Sequence, residues 1–263
     1  MKQPGSSARS SLHTRLLFVL FIVLGTVLSP FALAQEGRVL AAPKAIIFDV
    51  NETLLDLAPL RTSVGKALNG REDLLSLWFS TMLHYSLVDT LSNDYHDFGQ
   101  IGAAALMMVA QSQGIELEAE VARQSIVETI TKLPAHDDVV PGLKALTAGG
   151  FTIVSLTNSS NNGVTAQFEY AGLTDYFEHR YSVEDVAAFK PDPRTYEWVL
   201  ELGLKPEEVL MVAAHAWDLA GAKAVGLQTA FIAREGTVLY PLTSRPDYVV
   251  ENLLQLVEEL PSK

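Results

Sequence analysis

The chain has 263 residues, enough for one α/β domain with an insertion or for two small domains. Hydrophobic residues make up 48% and charged residues 19%, which predicts a packed globular protein rather than a disordered one. The sequence contains no cysteine, which excludes disulfides, thiolate metal sites and cysteine nucleophiles, and its net charge of −12 argues against a nucleic-acid partner, which needs clustered Lys and Arg.

The first 34 residues differ in composition from the rest of the chain. Arg9 and Arg15 precede a long apolar run that ends in a small-x-small pattern, Ala-Leu-Ala, at 32–34. These features are typical of a secretory signal peptide. We therefore expect cleavage after residue 34, a periplasmic or secreted protein, and no stable membrane span after cleavage. An uncleaved membrane anchor is the alternative, since the run approaches the length of a bilayer.

The first predicted strand and the stretch after it define the domain organisation. A short apolar run at 45–49 predicts a buried strand that ends in Asp49. The stretch from about 59 to 137 has helical periodicity and no convincing strand, so we interpret it as a cap over the carboxyl edge of the sheet. The expected units are a signal peptide at 1–34, an α/β core formed by 35–58 and 138–263, and a helical cap at 59–137.

Beyond the cap, short apolar runs alternate with helical stretches. The further predicted strands are 151–157, 209–214, 228–233 and 247–250. The predicted helices are 142–149, 162–172, 193–203 and 217–225, followed by one at the C-terminus. This alternation predicts a parallel sheet with helices on both faces.

Polar side chains follow several of the predicted strands. They are Asp49, Asn51 and Thr53 after the first strand, Thr157 and Asn158 after the second, and His215, Trp217 and Asp218 after the third. Lys190 stands just before a helix for which Asp192 is a suitable N-cap. Because ligands of open α/β sheets bind outside the carboxyl ends of the strands, we expect these groups to converge at one edge.

These blocks resemble the four motifs of the haloacid dehalogenase (HAD) superfamily, and within it the type II L-2-haloacid dehalogenase branch. "FDVNETLLD" resembles the first motif, a nucleophilic Asp followed four residues on by Thr, and "SLTNSS" resembles the Ser/Thr-Asn motif. "FKPDPRTY" and "HAWDLAGAKAVGL" resemble the Lys-Pro-Asp and Ala-Trp-Asp segments. The resemblance covers residues from about 44 to 255 and implies a HAD-like Rossmannoid parallel sheet core with an inserted helical cap.

The resemblance also implies a reaction. Asp49 would attack a small 2-haloalkanoic acid in an SN2 displacement, expel halide and form an aspartyl ester, which water would hydrolyse to the 2-hydroxy acid. Lys190 would keep Asp49 ionised, and Asp218 would orient Lys190 or the hydrolytic water. No cofactor is implied.

The remaining site residues are assigned to substrate binding by the same resemblance. Thr53, Thr157 and Asn158 would supply hydrogen bonds to Asp49 or to the substrate carboxylate. Trp217 and aromatic residues of the cap would form a dry wall around the leaving group, although ordinary packing is the alternative for Trp217. Tyr196 belongs to the Lys-Pro-Asp segment and is predicted to bind substrate.

The chain departs from the family pattern at four places. Phe79 stands where a cap Arg usually helps to bind halide, so Arg61 or Arg71 would have to compensate. Asn51 replaces a Tyr and could donate its amide to a halogen or a carboxylate. His215 replaces an Asn, and it could be a base that activates water, since its ordinary pKa lies near neutrality, or only a hydrogen-bonded pocket residue. Glu52 replaces a Gly that most relatives have, and the sequence gives no reason for it.

Two alternative functions remain open. HAD-type phosphatases use a second Asp two residues after the nucleophile and hold Mg²⁺ with acidic oxygens, but this chain has Asn51 and Ala214 at the corresponding places. Mg²⁺ would be expected only if that alternative held. The second alternative is a small-molecule-binding protein that has lost turnover, suggested by Phe79. The expected partner in the main hypothesis is a small organic acid, with a homodimer as a possible assembly.

Overall fold

The computed structural model describes residues 40–261, so the predicted signal peptide lies outside the described residues. Six parallel strands form one sheet. They are β1 (Ala45–Phe48), β2 (Thr152–Thr157), β3 (His179–Ser182), β4 (Val209–Ala213), β5 (Gln228–Ile232) and β6 (Tyr248–Val250). Their order in the sheet is β3-β2-β1-β4-β5-β6. The predicted parallel sheet and the HAD-like fold class are confirmed.

All five predicted strands are present, and each is one residue shorter than predicted. Every residue of β1, β4 and β5 is buried, as expected for strands covered by helices on both faces. Strand β3 was not predicted from the sequence. Its sequence, HRYS, has no apolar run, and its first two residues are exposed because the strand lies at the edge of the sheet.

Nine α-helices accompany the sheet in the described part of the chain. They are α1 (Ala58–Ala67), α2 (Leu75–Ser92), α3 (Phe98–Ser112), α4 (Ala119–Ile130), α5 (Val139–Ala148), α6 (Asn161–Ala171), α7 (Pro193–Val199), α8 (Ala216–Ala224) and α9 (Leu253–Glu259). The predicted helix at 193–203 is split. It leaves α-helical geometry after Val199 and ends in a short 3₁₀ segment, because Gly203 adopts a left-handed conformation with φ of 80°.

The helices α1 to α4 all lie between β1 and β2 in the sequence. The indole Nε1 of Trp78 in α2 donates a hydrogen bond of 2.8 Å to the carbonyl of Gly102 in α3. A side chain at Gly102 would meet Met82 and Ile126, each 3.1 Å from the position of its Cβ, so the glycine lets α3 approach α2 and α4 closely. No helix within residues 40–261 is long and apolar enough to span a membrane.

The sheet order explains why the candidate residues meet. β1 lies between β2 and β4, with Phe48 in register with Ser155 on one side and Val212 on the other. The carboxyl ends of these three strands are therefore adjacent. The loops that follow them start at Asp49, Asn158 and Ala214, and all three open toward the same edge.

Candidate active site

Asp49 is the first residue after β1 and is almost completely buried, with 4% of its surface exposed. Its backbone N–H donates to the carbonyl of Val212, so the residue remains attached to β4 after the strand has ended. The Thr53 hydroxyl donates to Asp49 Oδ2 at 2.7 Å, and the Lys190 ammonium donates to Oδ1 at 2.8 Å. Both carboxylate oxygens are therefore oriented by donors.

Thr53 connects the loop after β1 to its surroundings. While its hydroxyl donates to Asp49, the same oxygen accepts a 2.9 Å hydrogen bond from the N–H of Ala214 after β4. Its carbonyl accepts from the guanidinium of Arg234, at 3.2 Å from Nε and 2.9 Å from Nη2, and Nη1 of Arg234 donates to Asp138. Arg234 was not predicted, because it belongs to none of the motifs and follows a strand far along the chain.

Lys190 lies at the centre of the polar cluster, with 1% of its surface exposed. Its Nζ donates to Asp49 Oδ1 at 2.8 Å, to Asp218 Oδ2 at 2.7 Å and to the carbonyl of Leu156 at 3.0 Å. An ammonium group has three donors, so all of them are used within the protein. Lys190 therefore orients the two carboxylates and has no donor left for another ligand.

The charges of this cluster determine its ionisation. Burial alone would raise the pKa of Asp49, but the charges of Lys190 and His215 and their hydrogen bonds outweigh it and hold the pKa far below its usual range. Burial would likewise lower the pKa of Lys190, but Asp218 and Asp49 outweigh it and raise the pKa. Asp49 is thus an anion and Lys190 a cation at neutral pH.

Tyr196 forms hydrogen bonds with Asp218. Its hydroxyl lies 2.6 Å from Asp218 Oδ1 and 3.0 Å from the Asp218 carbonyl, and the side chain is fully buried. Gly221 in α8 makes this contact possible, because a Cβ there would lie 2.7 Å from the Tyr196 hydroxyl. The prediction that Tyr196 binds substrate is therefore wrong. The residue positions Asp218, whose carboxylate in turn holds Lys190.

His215 lies between two carboxylates. Its Nδ1 is 3.3 Å from Asp49 Oδ2, and its Nε2 is 2.6 Å from Glu52 Oε2. The ring stacks on Phe79 of α2 at 5.9 Å between centroids and on Trp217 of α8 at 5.1 Å. Phe79 and Trp217 thus both lie at the site, and both contact the histidine.

The charge state of His215 differs from the prediction. Burial alone would lower its pKa, but the hydrogen bonds and charges of Asp49 and Glu52 outweigh burial and raise the pKa to about 9. The imidazole is therefore protonated at neutral pH in the free protein. The prediction of a base with an ordinary pKa near neutrality does not hold while Asp49 is ionised.

Glu52, for which the sequence offers no explanation, belongs to the site. Its backbone has φ of 64°, in the left-handed region where glycine is favoured, which accounts for the glycine that the family resemblance implies at this place. In this chain the residue keeps that conformation and directs its carboxylate to His215. The sequence feature that could have indicated a role for Glu52 was its departure from the glycine of the family pattern.

The other predicted polar residues hold the loops together. The Asn51 amide donates to Ser159 Oγ at 3.1 Å, and Gln167 of α6 donates to Asn51 Oδ1 at 2.8 Å. Thr157 Oγ1 accepts from the N–H of Ser159, and Asn158 Oδ1 accepts from the N–H of Lys190. Neither Thr157 nor Asn158 donates to Asp49, so of the three predicted donors only Thr53 does so.

The two arginines proposed to compensate for Phe79 do not lie at the site. Arg61 is exposed on α1, and Arg71 is exposed and paired with Asp73. Lys190 and His215 are the cations at the cluster itself, and both are already paired with carboxylates. Between residues 40 and 261, no further cation lies at this cluster in the place that the resemblance gives to a cap arginine.

The ionic environment of His215 predicts how stability depends on pH. The folded pKa of about 9 exceeds the unfolded value near 6.5, so the stabilisation is fully present below pH 6.5 and is lost as pH rises through 9. The loss should reach about 3 kcal/mol at most. Urea unfolding from pH 6 to 10 should show this decline in the wild type. A His215→Asn variant should lack that part of it, and an identical slope in both proteins would contradict the assignment.

The donor set does not fit a Mg²⁺ ion. Both oxygens of Asp49 accept from Lys190 or Thr53, and Ala214 has no side-chain oxygen where a metal-binding carboxylate would be needed. Between residues 40 and 261, no three His, Asp or Glu side chains are grouped in a way that could hold a metal ion.

Comparisons with known proteins agree on one family. The model of the haloacid dehalogenase-like hydrolases matches residues 43–226. An (S)-2-haloacid dehalogenase of Pseudomonas sp. (strain YL) is 33% identical over 217 residues, which cover 82% of this chain and 93% of that protein. The (S)-2-haloacid dehalogenase 1 of Pseudomonas sp. (strain CBS-3) is 35% identical over 73% of this chain and 85% of its own length.

Solved structures show the same similarity. The L-2-haloacid dehalogenase of Xanthobacter autotrophicus superposes with a TM-score of 0.76 at 28% identity, over 82% of this chain and 97% of that one. A structure of that enzyme with chloropropionic acid covalently bound gives the same TM-score and coverage at 26% identity.

Proposed function

The chain belongs to the haloacid dehalogenase-like hydrolase family, and from that premise we propose that it displaces halide from a small 2-haloalkanoic acid and releases the 2-hydroxy acid. The observation that carries the proposal is the ionised Asp49 carboxylate, oriented by Lys190 and Thr53 at the carboxyl edge of the sheet. The covalently bound chloropropionic acid in the Xanthobacter enzyme supports a covalent intermediate on this residue.

The first step is an attack by one carboxylate oxygen of Asp49 on the carbon that bears the halogen. A C–O bond forms while the C–halogen bond breaks, and the bonding pair leaves with the halide. Burial removes water that would compete with this weak nucleophile. Lys190 keeps Asp49 ionised, and Trp217 and Phe79 supply apolar surface beside it.

In the second step, water attacks the carbonyl carbon of the Asp49 ester, and the bond between that carbon and the ester oxygen breaks. The C–O bond made in the first step stays with the product. Asp49 is thereby restored as a carboxylate, and one proton is released overall. The residues need no cofactor for either step, because the nucleophile is a side chain and the leaving group departs as a stable anion. We therefore propose a reaction without metal or cofactor.

The test is halide release from a panel of chloro-, bromo- and fluoro-substituted 2-haloacids in the presence of EDTA. We expect stoichiometric halide and 2-hydroxy acid from at least one acid of the panel, unaffected by the chelator. Phosphate release from phosphomonoesters that requires Mg²⁺ and stops with EDTA would favour the phosphatase alternative. Tight binding of the acids without any halide release would favour the binding protein.

We also propose that the protein is exported. The support is the basic, apolar and small-x-small pattern of residues 1–34, whose removal would change the net charge from −12 to −15 by eliminating Lys2, Arg9 and Arg15. Expression of the full chain in a bacterial host, followed by osmotic fractionation and intact-mass measurement, tests this. A protein that begins at Gln35 in the periplasmic fraction is expected. Intact full-length protein in the membrane fraction would instead support the anchor.

A homodimer is proposed as the assembly. The support is apolar surface on α2 and α3, which includes Leu91, 84% exposed, with Val88, Met107 and Met108 also exposed. A second copy would bury part of this surface. Sedimentation equilibrium should give about twice the monomer mass, and a monomer at micromolar concentration would rule the dimer out.

A further inference from the structure

We propose that Glu52 and His215 act as one unit in the second step, with His215 as the base that activates water against the Asp49 ester and Glu52 as the residue that positions it. The inference rests on the proposed function and deepens it. The Glu52 carboxylate contacts His215, and the assigned mechanism does not otherwise use it.

The two ring nitrogens of His215 contact different carboxylates. Nδ1 of His215 is 3.3 Å from Asp49 Oδ2, an oxygen of the carboxyl group that becomes the ester, whereas Nε2 is 2.6 Å from Glu52 Oε2. A water that attacks the ester carbon must pass within reach of Nδ1. A base beside the reacting group, oriented by a carboxylate on its other nitrogen, is a recurring arrangement for covalent catalysis.

Aromatic side chains stack on the His215 ring, in addition to the carboxylates that contact its nitrogens. Phe79 stacks against it with an angle of 22° between the planes, and Trp217 does so with an angle of 28°. Nδ1 therefore stays directed at Asp49. Phe79, which cannot bind halide as an arginine would, gains a role as one wall of this stack.

Formation of the ester changes the charge around His215. The charged groups that raise its pKa in the free protein are Asp49 and Glu52, both from the loop after β1, while α2 and α8 present the uncharged Phe79 and Trp217. Among the described residues, the other cations beside this loop are Lys190, which contacts Asp49 and Asp218, and Arg234, which donates to the Thr53 carbonyl. Esterification neutralises Asp49, so one of the two anions is lost and the pKa of His215 falls.

The proton balance follows from this change. The imidazolium releases its Nδ1 proton to solvent at the ester stage, and the neutral ring then takes a proton from the attacking water. When the tetrahedral intermediate collapses, the bond between the Asp49 carbonyl carbon and the substrate oxygen breaks. The departing alkoxide takes the proton of the newly formed Asp49 carboxylic acid and leaves as the 2-hydroxy acid. Asp49 and protonated His215 are restored, and the cycle releases one proton for each halide.

The position of Glu52 fits a functional carboxylate. A non-glycine residue in the left-handed conformation costs about 1 kcal/mol, and the fold keeps glutamate there. His136 lies 3.0 Å from the Glu52 carbonyl through its Nε2, so the backbone of the loop is held in place. The Glu52 side chain is 28% exposed, which gives the pair a route for exchanging the proton with solvent.

The experiment separates the two steps by rapid quench with Glu52→Gln, Glu52→Gly and His215→Asn. We expect the first turnover to release halide at nearly the wild-type rate, while steady-state turnover falls about 10²-fold. The esterified Asp49 peptide should accumulate and be visible by mass spectrometry. In Glu52→Gln, the acid limb of the pH profile of steady-state turnover should shift to lower pH, because an anion beside His215 has been removed.

Glu116→Gln, which alters an exposed carboxylate away from the site, should match the wild type in both steps. Melting curves establish that each variant is folded. An equal loss of the halide burst and of turnover in Glu52→Gln would overturn the inference, and so would unchanged turnover without ester accumulation. Absence of any halide release by the wild type would instead overturn the proposed function.

Discussion

Asp49→Asn is expected to lose halide release by about 10⁴-fold or more, because an amide cannot form the aspartyl ester. The variant should still fold, since Lys190 retains Asp218 and the Leu156 carbonyl as partners and the asparagine can accept from Thr53. Halide release under initial-rate conditions measures the effect, and intact mass after incubation with substrate reports the ester. We expect the added mass in the wild type under rapid quench and none in the variant.

The matched control is Asp175→Asn, which changes an exposed aspartate in the segment before β3. Its halide release should equal that of the wild type. If Asp49→Asn kept more than a tenth of the wild-type rate, Asp49 would not be the nucleophile. Any remaining activity would then have to come from another carboxylate.

Lys190→Met is expected to lose both activity and stability. The substitution leaves Asp49 and Asp218 buried without the cation between them, and breaking a buried ion pair in this way costs about 3–5 kcal/mol. The pKa of Asp49 should rise, because its main opposing charge is gone, so a larger fraction of the carboxyl is protonated and unreactive at neutral pH. Urea unfolding and the pH profile of halide release measure the two effects.

Lys223→Met provides the comparison for Lys190→Met. Lys223 pairs with Asp247 at 2.9 Å in a partly exposed position, so its loss should cost about 1 kcal/mol or less and leave halide release unchanged. The double variant Lys190→Met/Asp218→Asn should recover part of the stability without recovering activity. Equal losses of unfolding free energy in Lys190→Met and Lys223→Met would show that Lys190 is not the structural centre of the cluster.

The convergence of the site could be predicted from the sequence because it depends on strand order and strand ends. Asp49, Lys190, His215 and Asp218 were expected at one edge, and the hydrogen bonds join them there. Such convergence requires only that apolar runs form parallel strands whose loops open on the same side. The sheet and helices were predictable for the same reason, except for the polar edge strand β3.

The rest of the pairing within the site could not be predicted, because it depends on side-chain directions between distant segments. Tyr196 has the residue type of a substrate ligand, yet its hydroxyl turns inward to Asp218. Gln167 and Arg234 belong to none of the sequence motifs. Even so, Gln167 donates to Asn51 and Arg234 donates to the Thr53 carbonyl. The ion pair of Glu52 with His215 requires a left-handed backbone, which a single sequence gives no reason to expect at a glutamate.

The double anchoring of Thr53 has a consequence for the entropy of binding. Its hydroxyl joins Asp49 to Ala214, and its carbonyl is held by Arg234, so the turn that carries the nucleophile is fixed at both side chain and backbone. The conformational entropy of this turn is given up when the chain folds, not when substrate arrives. Binding then has to order little beyond the substrate itself, which leaves more of the binding free energy for aligning the carbon–halogen bond with Asp49.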